Sequence, residues 1–255
     1  MDELTKLIAH AAEAILDLAS KADVRIKADG SPVTAADEAA EAIICERLQR
    51  LAPGVPVISE EHASHEKPEA IGRGSYFLVD PLDGTRDFIA GRDEYTINIA
   101  LMTDGAPLLG IICAPAPTLG GCWRGIVGSG ADCLSLMHRT GGPTPIHTRP
   151  RPSHEVAIMV SRSHLDARTR AYADGFPQAK LVQSGSSIKF CRLAEGSADI
   201  YPRLAPTRDW DIAAGHAILQ AAGGKVTAPD GSPLRYGTPD FLIPAFVASG
   251  APIKA

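Results

Sequence analysis

The residues best suited to chemistry in this sequence are carboxylates that follow hydrophobic runs. Asp80 and Asp83 stand on a short turn that begins where an apolar run ends. A carboxylate at the end of a hydrophobic strand is costly unless something binds it. Pro81 limits φ and removes a backbone donor, and Gly84 permits an unusual turn. Two carboxylates and the Leu82 carbonyl on such a rigid turn indicate a site for a hard cation.

Other acidic segments also stand at the ends of predicted elements. They are Glu60-Glu61 after a strand, Asp209-Trp-Asp211 at the start of a helix, and Asp37 in the first turn of a helix. Helix capping is the favoured interpretation of Asp209, whereas for Asp37 a cap and a functional role both stay open. Oxygen ligands without a histidine point to Mg2+ or Mn2+ rather than to zinc.

A site of this kind suits the hydrolysis of a phosphate ester. Mg2+ usually acts together with substrate phosphates, and in two-metal sites the ions clamp the attacking and leaving oxygens. The 255 residues include 25 Lys and Arg against 30 Asp and Glu, a net charge of -5, which disfavours binding of long nucleic acids. Aromatic residues make up only 5%, which argues against stacking platforms for single strands. We therefore expect a small phosphorylated substrate and no nucleic acid polymer.

The first half of the chain supplies the elements that must position these carboxylates. Helical periodicity predicts a helix over 2–20 and a second helix from the Thr34 N-cap to about Leu51. The polar stretch 62–74 predicts a flexible loop, and Asp104-Gly105 predicts a hairpin turn. Short apolar runs predict strands at 56–59, 75–80, 95–102, 108–114 and 121–127.

The second half of the chain alternates between strand and helix patterns. Glycines and prolines over 139–152 predict a boundary between domains at 1–150 and 151–255. Beyond it we expect strands at 155–161, 180–183, 199–201 and 241–248 and helices at 165–173, 186–194 and 210–222. This pattern predicts an α/β (α+β) fold.

The cysteines and the N-terminus indicate the cellular compartment. The 5 Cys form no C-x-x-C pair and are odd in number, which argues against a disulfide framework and a zinc ribbon. The start Met1-Asp2-Glu3 is wrong for a signal peptide, and no apolar run approaches the roughly 18 residues that cross a membrane. We expect a cytoplasmic protein, with peripheral attachment at the cytoplasmic face of the inner membrane left open.

Four acidic segments together resemble a known family. Asp80-Pro-Leu-Asp-Gly-Thr85 closely resembles a signature of the inositol monophosphatase superfamily of Mg2+-dependent, lithium-sensitive phosphatases. Its other segments are matched, in family order, by Val33–Asp37, Ile58–Glu61 and Trp210–Gly215. A finer resemblance to the bacterial 3'(2'),5'-bisphosphate nucleotidase branch is carried by Lys27–Thr34, Tyr95–Leu101, Ser161–His164 and Gly185–Asp199.

The resemblance implies a fold, a reaction and partners. The fold is the layered αβαβα sugar-phosphatase fold. The substrate is 3'-phosphoadenosine 5'-phosphate, cut to AMP and phosphate, a role that belongs to sulfate assimilation. The alternative is an inositol, fructose, histidinol or other small sugar or alcohol phosphate. Two or three Mg2+ ions occupy the site, with Mn2+ as the alternative metal, and a homodimer is expected.

The resemblance also implies roles for individual residues. The first metal is held by Glu60, Asp80 and the Leu82 carbonyl, and the second by Asp80, Asp83 and Asp211. A third cation binds through waters near Glu60 and Asp37. The catalytic residues are Glu60, Thr85 and Asp37, with Thr85 as the partner of the nucleophilic water and Asp37 orienting it.

Substrate contacts are implied at a wider set of positions. They are Glu60, Leu82, Asp83, Gly84, Thr85, Ser161, His164, Gly185, Ser186, Lys189, Arg208 and Asp211. For Lys189 the alternative is a solvated lysine on a helix. Two interpretations of Arg208 are equally good: it pairs with the phosphate that does not react, or it forms a salt bridge to Asp209.

Overall fold

The computed structural model describes residues 1–19, 23–65, 74–135, 142–163 and 165–251. Within these ranges the helices are α1 (Asp2–Leu18), α2 (Ala35–Leu51), α3 (Glu60–His65), α4 (Thr85–Ile89), α5 (Ala167–Asp174), α6 (Ile188–Ala194) and α7 (Asp209–Ala221). The strands are β1 (Val24–Ile26), β2 (Pro32–Thr34), β3 (Val57–Ser59), β4 (Ser75–Asp83), β5 (Thr96–Thr103), β6 (Ala106–Ala114), β7 (Gly121–Ile126), β8 (Gly130–Ser135), β9 (Thr144–Ile146), β10 (Ala157–Ser161), β11 (Lys180–Ser184), β12 (Ile200–Arg203), β13 (Thr207–Arg208), β14 (Lys225–Thr227), β15 (Leu242–Ile243) and β16 (Phe246–Ser249).

Two large sheets organise these elements. A seven-stranded sheet has the order β3-β4-β5-β6-β7-β8-β9, and all its neighbours are antiparallel except β3 and β4. A five-stranded mixed sheet has the order β11-β10-β12-β16-β14. The two-stranded pairs β1-β2 and β13-β15 complete the topology among the described residues.

Alternating side chains on β4 show how the layers are held together. Phe77 and Val79 lie in a core with α1 and α2, whereas Tyr76 and Leu78 lie in a second core with α6 and α7. This alternation is the period of a strand that is buried on both faces. The second core also contains one face of the five-stranded sheet, and α5 packs on the other face. The layered αβαβα fold that the resemblance implies is therefore confirmed.

Helix α7 lies unusually close to the seven-stranded sheet. A Cβ on Gly110 in β6 would stand 2.2 Å from the Ala214 carbonyl oxygen, and one on Gly125 in β7 would stand 2.7 Å from the Ile218 Cα. Both neighbours are backbone atoms that cannot rotate away. Glycine is thus required for this approach, which sets the distance between α7 and the seven-stranded sheet. The same sheet carries Asp80 and Asp83 on β4.

Most predicted elements are confirmed, with specific corrections. The predicted loop 62–74 is wrong at its start, because α3 continues through His62–His65, and the residues from 66 to 73 lie outside the described ranges. The predicted strand 75–80 extends to Asp83. The predicted strand 241–248 is divided at Pro244, which has no backbone N–H to donate, into β15 and β16 of different sheets.

The proposed domain boundary stays a prediction. The seven-stranded sheet precedes it and the five-stranded sheet follows it, while α7 contacts strands of both. None of the helices in the described ranges is long and apolar enough to span a membrane.

We predict that Gly110→Ala destabilises the protein by about 1–3 kcal/mol, because overpacking against a backbone carbonyl forces α7 away from the sheet. Urea unfolding followed by circular dichroism measures the change. Gly142→Ala is the matched control, since a Cβ there meets nothing within 4 Å. Equal stability of the two variants would show that α7 tolerates displacement.

Candidate active site

An irregularity in β4 brings its two aspartates to the same face of the sheet. Asp80 pairs with Asn98 and Asp83 pairs with Thr96, so three steps along β4 match two steps along β5. Regular alternation would turn Asp83 to the opposite face from Asp80. The extra residue of the β-bulge cancels this, and Leu82 enters the core beneath α1 and α2 instead.

Asp80 lies at the centre of an acidic cluster. Single carboxylate oxygens of Asp80, Glu60 and Asp211 lie within 4.8 Å of one another. Asp80 is 1% exposed, and its Oδ1 accepts a hydrogen bond from the Leu82 N–H at 3.0 Å. Its Oδ2 is buried and finds no hydrogen-bond partner in the described part of the chain. A buried carboxylate oxygen without a protein partner is suited to bind a cation or a water molecule.

Helix starts place the other two members of this cluster. Glu60 is the first residue of α3, directly after β3. Asp211 is in the first turn of α7, where its Oδ2 accepts hydrogen bonds from the Thr207 hydroxyl and, at 3.1 Å, from the Arg208 N–H. One oxygen of Asp211 is thus held by the helix cap, which fixes the orientation of the carboxylate toward the cleft.

Lys27 is a counter-ion of the cluster that the sequence interpretation did not assign. Its Nζ donates to Glu60 Oε1 at 2.8 Å and to Glu61 Oε1 at 2.6 Å, and its side chain is 9% exposed. The hairpin β1-β2 carries Lys27 over α3 at its turn. Burial opposes the charged amine, but the two carboxylates outweigh it and raise the pKa of Lys27.

The cluster is electrostatically strained without further positive charge. Burial raises the pKa of Glu60 to about 8, with Asp211 adding to this effect and Lys27 opposing it. Burial and the neighbouring Asp211 raise the pKa of Asp83 to about 6, and Lys189 opposes them. The pKa of Asp80 is well above its usual range because of burial and four neighbouring carboxylates. Bound cations would relieve this repulsion.

Thr85 and Asp37 form a hydrogen-bonded pair next to the bulge. The Thr85 hydroxyl has Asp37 Oδ1 at 3.0 Å and the Leu82 carbonyl at 3.1 Å. Asp37 Oδ2 accepts from the N–H and hydroxyl of Thr34, the N-cap of α2. Asp37 therefore belongs to the capping box of α2 and is also the hydrogen-bond partner of Thr85. Its interpretation as a helix cap is confirmed, and its functional role stays a prediction. Burial raises its pKa.

Gly84 gives the turn after β4 its shape. Its φ is +99°, a conformation that L side chains rarely adopt, and a Cβ would stand 3.0 Å from the Glu94 carbonyl oxygen. Helix α4 begins at the next residue, Thr85. The turn therefore presents the Thr85 hydroxyl at the rim of the acidic cluster.

Lys27, Thr85 and the acidic cluster line one cleft of about 440 Å3, whereas Asp37 is not among its lining residues. Of the predicted substrate contacts, the cleft brings together Glu60, Leu82, Asp83, Gly84, Thr85, Ser161, Gly185, Ser186, Lys189, Arg208 and Asp211. The predicted contact His164 lies outside the described residues. The cleft therefore collects residues from both halves of the chain, as the sequence interpretation requires.

Lys189 is buried rather than solvated, so the alternative interpretation of this residue is wrong. It is 2% exposed, its Nζ donates to the carbonyls of Ser184, at 3.2 Å, and Ser186, and it lies 5.1 Å from the centre of the Tyr201 ring. Burial lowers its pKa to about 8, and Asp83 opposes this shift. The ammonium group is thus held on the side of the cluster where Asp83 lies.

Arg203 also lines the cleft, and the sequence interpretation missed it. Its Nε is buried and makes no hydrogen bond to the described residues. Arg203 ends β12, two residues after Tyr201, which lines the same cleft. The period of a strand places residues two apart on one face, so this spacing was the available signal. A guanidinium with a buried free donor suits an anionic ligand.

The loop before α6 is pinned to β5 beside the aspartates. The Ser187 hydroxyl donates to Asn98 Oδ1 at 2.6 Å and lies 2.8 Å from the Thr96 hydroxyl. These β5 residues are the partners of Asp80 and Asp83 across the bulge. Ser187 thereby fixes the position of Gly185-Ser186 relative to the acidic cluster.

Arg208 and Asp209 organise the wall of the cleft next to Asp211. Arg208 Nη1 donates to the Asp240 carbonyl at 2.6 Å, and Asp209 Oδ2 accepts from the Gly237 N–H at 2.7 Å. Arg208 makes no ion pair with Asp209 within the described ranges, so that alternative is not observed. Burial raises the pKa of Asp209 to about 6. Both residues dock segment 237–241 on the start of α7.

The donor set fits a hard divalent cation. It consists of carboxylate oxygens of Glu60, Asp80 and Asp211. Burial raises the pKa of Glu60 and Asp80, and one Asp80 oxygen has no hydrogen-bond partner among the described residues. Asp83 is not among the three carboxylates within 4.8 Å, but it lines the same cleft and its charge acts on Asp80 and Asp211. A cluster of oxygen ligands is typical of Mg2+ or Mn2+ sites.

Comparisons with known proteins agree with this arrangement. The model of the inositol monophosphatase family matches residues 1–252. The 3'(2'),5'-bisphosphate nucleotidase CysQ of Escherichia coli strain K12 is 41% identical over 98% of this chain and 99% of its own length. The crystal structure of CysQ from Bacteroides thetaiotaomicron has a TM-score of 0.80 and 34% identity, covering 96% of this chain and 94% of that one. An IMPase from Thermotoga maritima, at 24% identity and a TM-score of 0.79, shares the fold.

We predict that Asp83→Asn raises the melting temperature of the metal-free protein at pH 8 by about 2–6 °C. The reason is that the substitution removes one ionised carboxylate from a crowded cluster, worth about 1–2 kcal/mol at roughly 1.4 kcal/mol per pKa unit. The same variant should lose most of the stabilisation that added Mg2+ gives to the wild type. Differential scanning calorimetry with and without Mg2+ measures both effects.

Asp174→Asn, at the exposed end of α5, is the control and should change neither quantity. A metal-free Asp83→Asn protein that melts below the wild type would contradict the repulsion that we infer.

Proposed function

The chain belongs to the inositol monophosphatase family of phosphatases, and we propose that it is a 3'(2'),5'-bisphosphate nucleotidase that hydrolyses the 3'-phosphate of 3'-phosphoadenosine 5'-phosphate. The observation that carries this proposal is the distribution of charge in the cleft. The acidic cluster around Asp80 faces the same space as the buried Lys189 and the half-buried Arg203. A substrate with two phosphates can place one at each group. The names of the relatives support this assignment.

We assign the metal ligands to the acidic cluster. Glu60, Asp80 and the Leu82 carbonyl would hold one Mg2+ ion, and Asp80, Asp83 and Asp211 would hold a second, with Mn2+ as the alternative. A third ion would bind near Glu60 and Asp37. When bound, such ions lower the pKa of water and offset the charge of a phosphoryl group.

Thr85 and Asp37 then position and deprotonate the attacking water. When the Thr85 hydroxyl donates its proton to Asp37 Oδ1 at 3.0 Å, its lone pairs face the cleft and accept a hydrogen bond from that water. The raised pKa of Asp37 makes its carboxylate a better proton acceptor. Thr34 holds the other oxygen of Asp37, so the pair is preorganised in line with the substrate phosphorus.

The cationic side of the cleft binds the phosphate that is not cleaved. Arg203 Nε is a buried donor with no partner in the described ranges, and a phosphate oxygen would satisfy it. Lys189, with its pKa lowered to about 8, gains charge stabilisation from the same phosphate. Arg208 lies on the same cleft and adds a further positive charge. Ser161, Gly185 and Ser186 are proposed to contact the nucleotide, as is His164.

A small sugar or alcohol phosphate is the alternative substrate. The acidic cluster alone does not distinguish a bisphosphate substrate from a monophosphate, since it acts only on the phosphate that is cleaved. The buried Nε of Arg203 favours the bisphosphate, because a monophosphate would leave this free donor unpaired. Assembly as a homodimer, residence in the cytoplasm and attachment to the inner membrane stay predictions.

A substrate panel tests the proposed function. We predict Mg2+-dependent phosphate release from 3'-phosphoadenosine 5'-phosphate with kcat/KM at least about a hundredfold above that for inositol 1-phosphate. Two charge-assisted contacts to the second phosphate, at roughly 1.5 kcal/mol each, give a factor of this size. Colorimetric phosphate assays with and without Mg2+ provide the measurement.

Arg203→Gln is the matched variant for this panel. It should lower kcat/KM for the bisphosphate at least about tenfold and leave the value for inositol 1-phosphate unchanged. A preference for inositol 1-phosphate in the wild type would overturn the proposal in favour of the alternative.

A pair of substitutions tests the role of Thr85. We predict that Thr85→Val lowers kcat by about 10²–10⁴-fold with little change in KM, because the hydroxyl that links the water to Asp37 is lost. Thr85→Ser keeps that hydroxyl and should retain activity within about tenfold of the wild type. Steady-state kinetics with saturating Mg2+ measures both. Equal activity of the Val and Ser variants would remove Thr85 from the proton path.

A further inference from the structure

A second cluster of potential metal ligands lies on the side of α3 that faces away from the cleft. Glu60 and Ala63 line the cleft and therefore mark one face of α3. His62 is two residues from Glu60, about 200° further around the helix, so it faces away from the cleft. There it meets Glu41 of α2, and Cys45 stands one turn along the same face of α2.

The spacing of these three side chains suits a tetrahedral metal ion. One ligand atom from each of Glu41, Cys45 and His62 lies within 4.8 Å of the others. His62 Nδ1 is 3.3 Å from Glu41 Oε2. Two ligands at about 2.0–2.2 Å from a tetrahedral zinc ion lie roughly 3.3–3.5 Å apart. His62 Nδ1 and Glu41 Oε2 already have this separation, and the Cys45 thiol supplies a third ligand of the tetrahedron.

Two buried polar groups, Glu41 and Ser59, stand at the base of the cluster. Glu41 is 7% exposed, and its Oε1 accepts the His62 N–H at 3.2 Å, which leaves Oε2 to the imidazole. Ser59 is 1% exposed, and its hydroxyl faces the Cys45 thiol with no nitrogen or oxygen partner among the described residues. A bound cation would hold the carboxylate and turn the thiol into an acceptor for the Ser59 hydroxyl.

We propose that Glu41, Cys45 and His62 form a site for a zinc-type divalent ion, separate from the acidic cluster of the cleft. Sulfur, nitrogen and oxygen ligands together select borderline metals such as Zn2+ and are unsuited to Mg2+. The side chain of His62 is 73% exposed, which leaves an entry path for the ion. Water would occupy the fourth position.

Such an ion would clamp α3 on α2. Because α3 also begins with Glu60, the two metal systems would share one short helix, with an oxygen site on one face and a sulfur-containing site on the other. Burial raises the pKa of Cys45 to about 12, so the thiol proton must leave as the ion binds. The proposal does not depend on the substrate of the cleft.

Titration with Co2+ in the presence of saturating Mg2+ tests this site. Cobalt bound to a thiolate gives a sulfur-to-metal charge-transfer absorption, which an all-oxygen site does not. We expect this band at one Co2+ per chain in the wild type and its loss on addition of Zn2+. Cys45→Ser should abolish the band, and His62→Gln should weaken Co2+ binding at least about tenfold.

Matched controls separate this site from other cysteines and histidines. Cys133→Ser removes another half-buried thiol, and His10→Gln removes an exposed histidine of α1. Both variants should keep the band and the affinity of the wild type. Absence of the band in the wild type, its persistence in Cys45→Ser, or unchanged affinity in His62→Gln would overturn the proposal. Phosphate release with Mg2+ in the same samples reports on the cleft independently.

Discussion

Repulsion among buried carboxylates is the constraint on which the rest of this structure depends. Each neighbouring charge that raises the pKa of Asp80 belongs to another carboxylate. Two lysines stand at the margins of the cluster, Lys27 beside Glu60 and Lys189 near Asp83. A fold that holds such a centre must stabilise it by other means, through helix caps, a bulged strand and close packing of α7. The acidic cluster is therefore evidence of function, because it lowers the stability of the chain on its own.

The supports of the cluster are themselves made of ordinary local interactions. Thr34 caps α2 and at the same time holds Asp37 toward Thr85. Thr207 and the Arg208 N–H cap α7 through Asp211. In both cases one carboxylate oxygen satisfies the helix start. The other oxygen of Asp37 meets the Thr85 hydroxyl, and Asp211 lines the cleft. The position of the chemistry is thus set by the same hydrogen bonds that begin the helices.

Much of this site could be predicted from the sequence, and the exceptions have physical reasons. The Thr34 cap, the turn at Gly84 and the Asp104-Gly105 hairpin depend on local residue types, and the structure has all of them. The pairing of Lys27 with Glu60 joins residues 33 apart in the chain, and the contact of Ser187 with Asn98 joins residues 89 apart. Such contacts depend on how the layers stack, which no short motif encodes. The short strands β1, β2, β8, β9, β13 and β14 were missed for the same reason, since their residues become strands only by pairing with neighbours.

The β-bulge between Asp80 and Asp83 makes the length of this segment as important as its composition. A deletion of one residue there would leave the two aspartates two positions apart and still on one face of β4, but it would remove the bulge that buries Leu82 beneath α1 and α2 and turns its carbonyl toward Thr85. An insertion would displace the start of α4 instead. Substitutions can change the side chains around this turn, but an insertion or a deletion within it would disrupt the site. Gap-free alignment across these positions is therefore a sharper criterion for an intact catalytic centre than overall sequence identity.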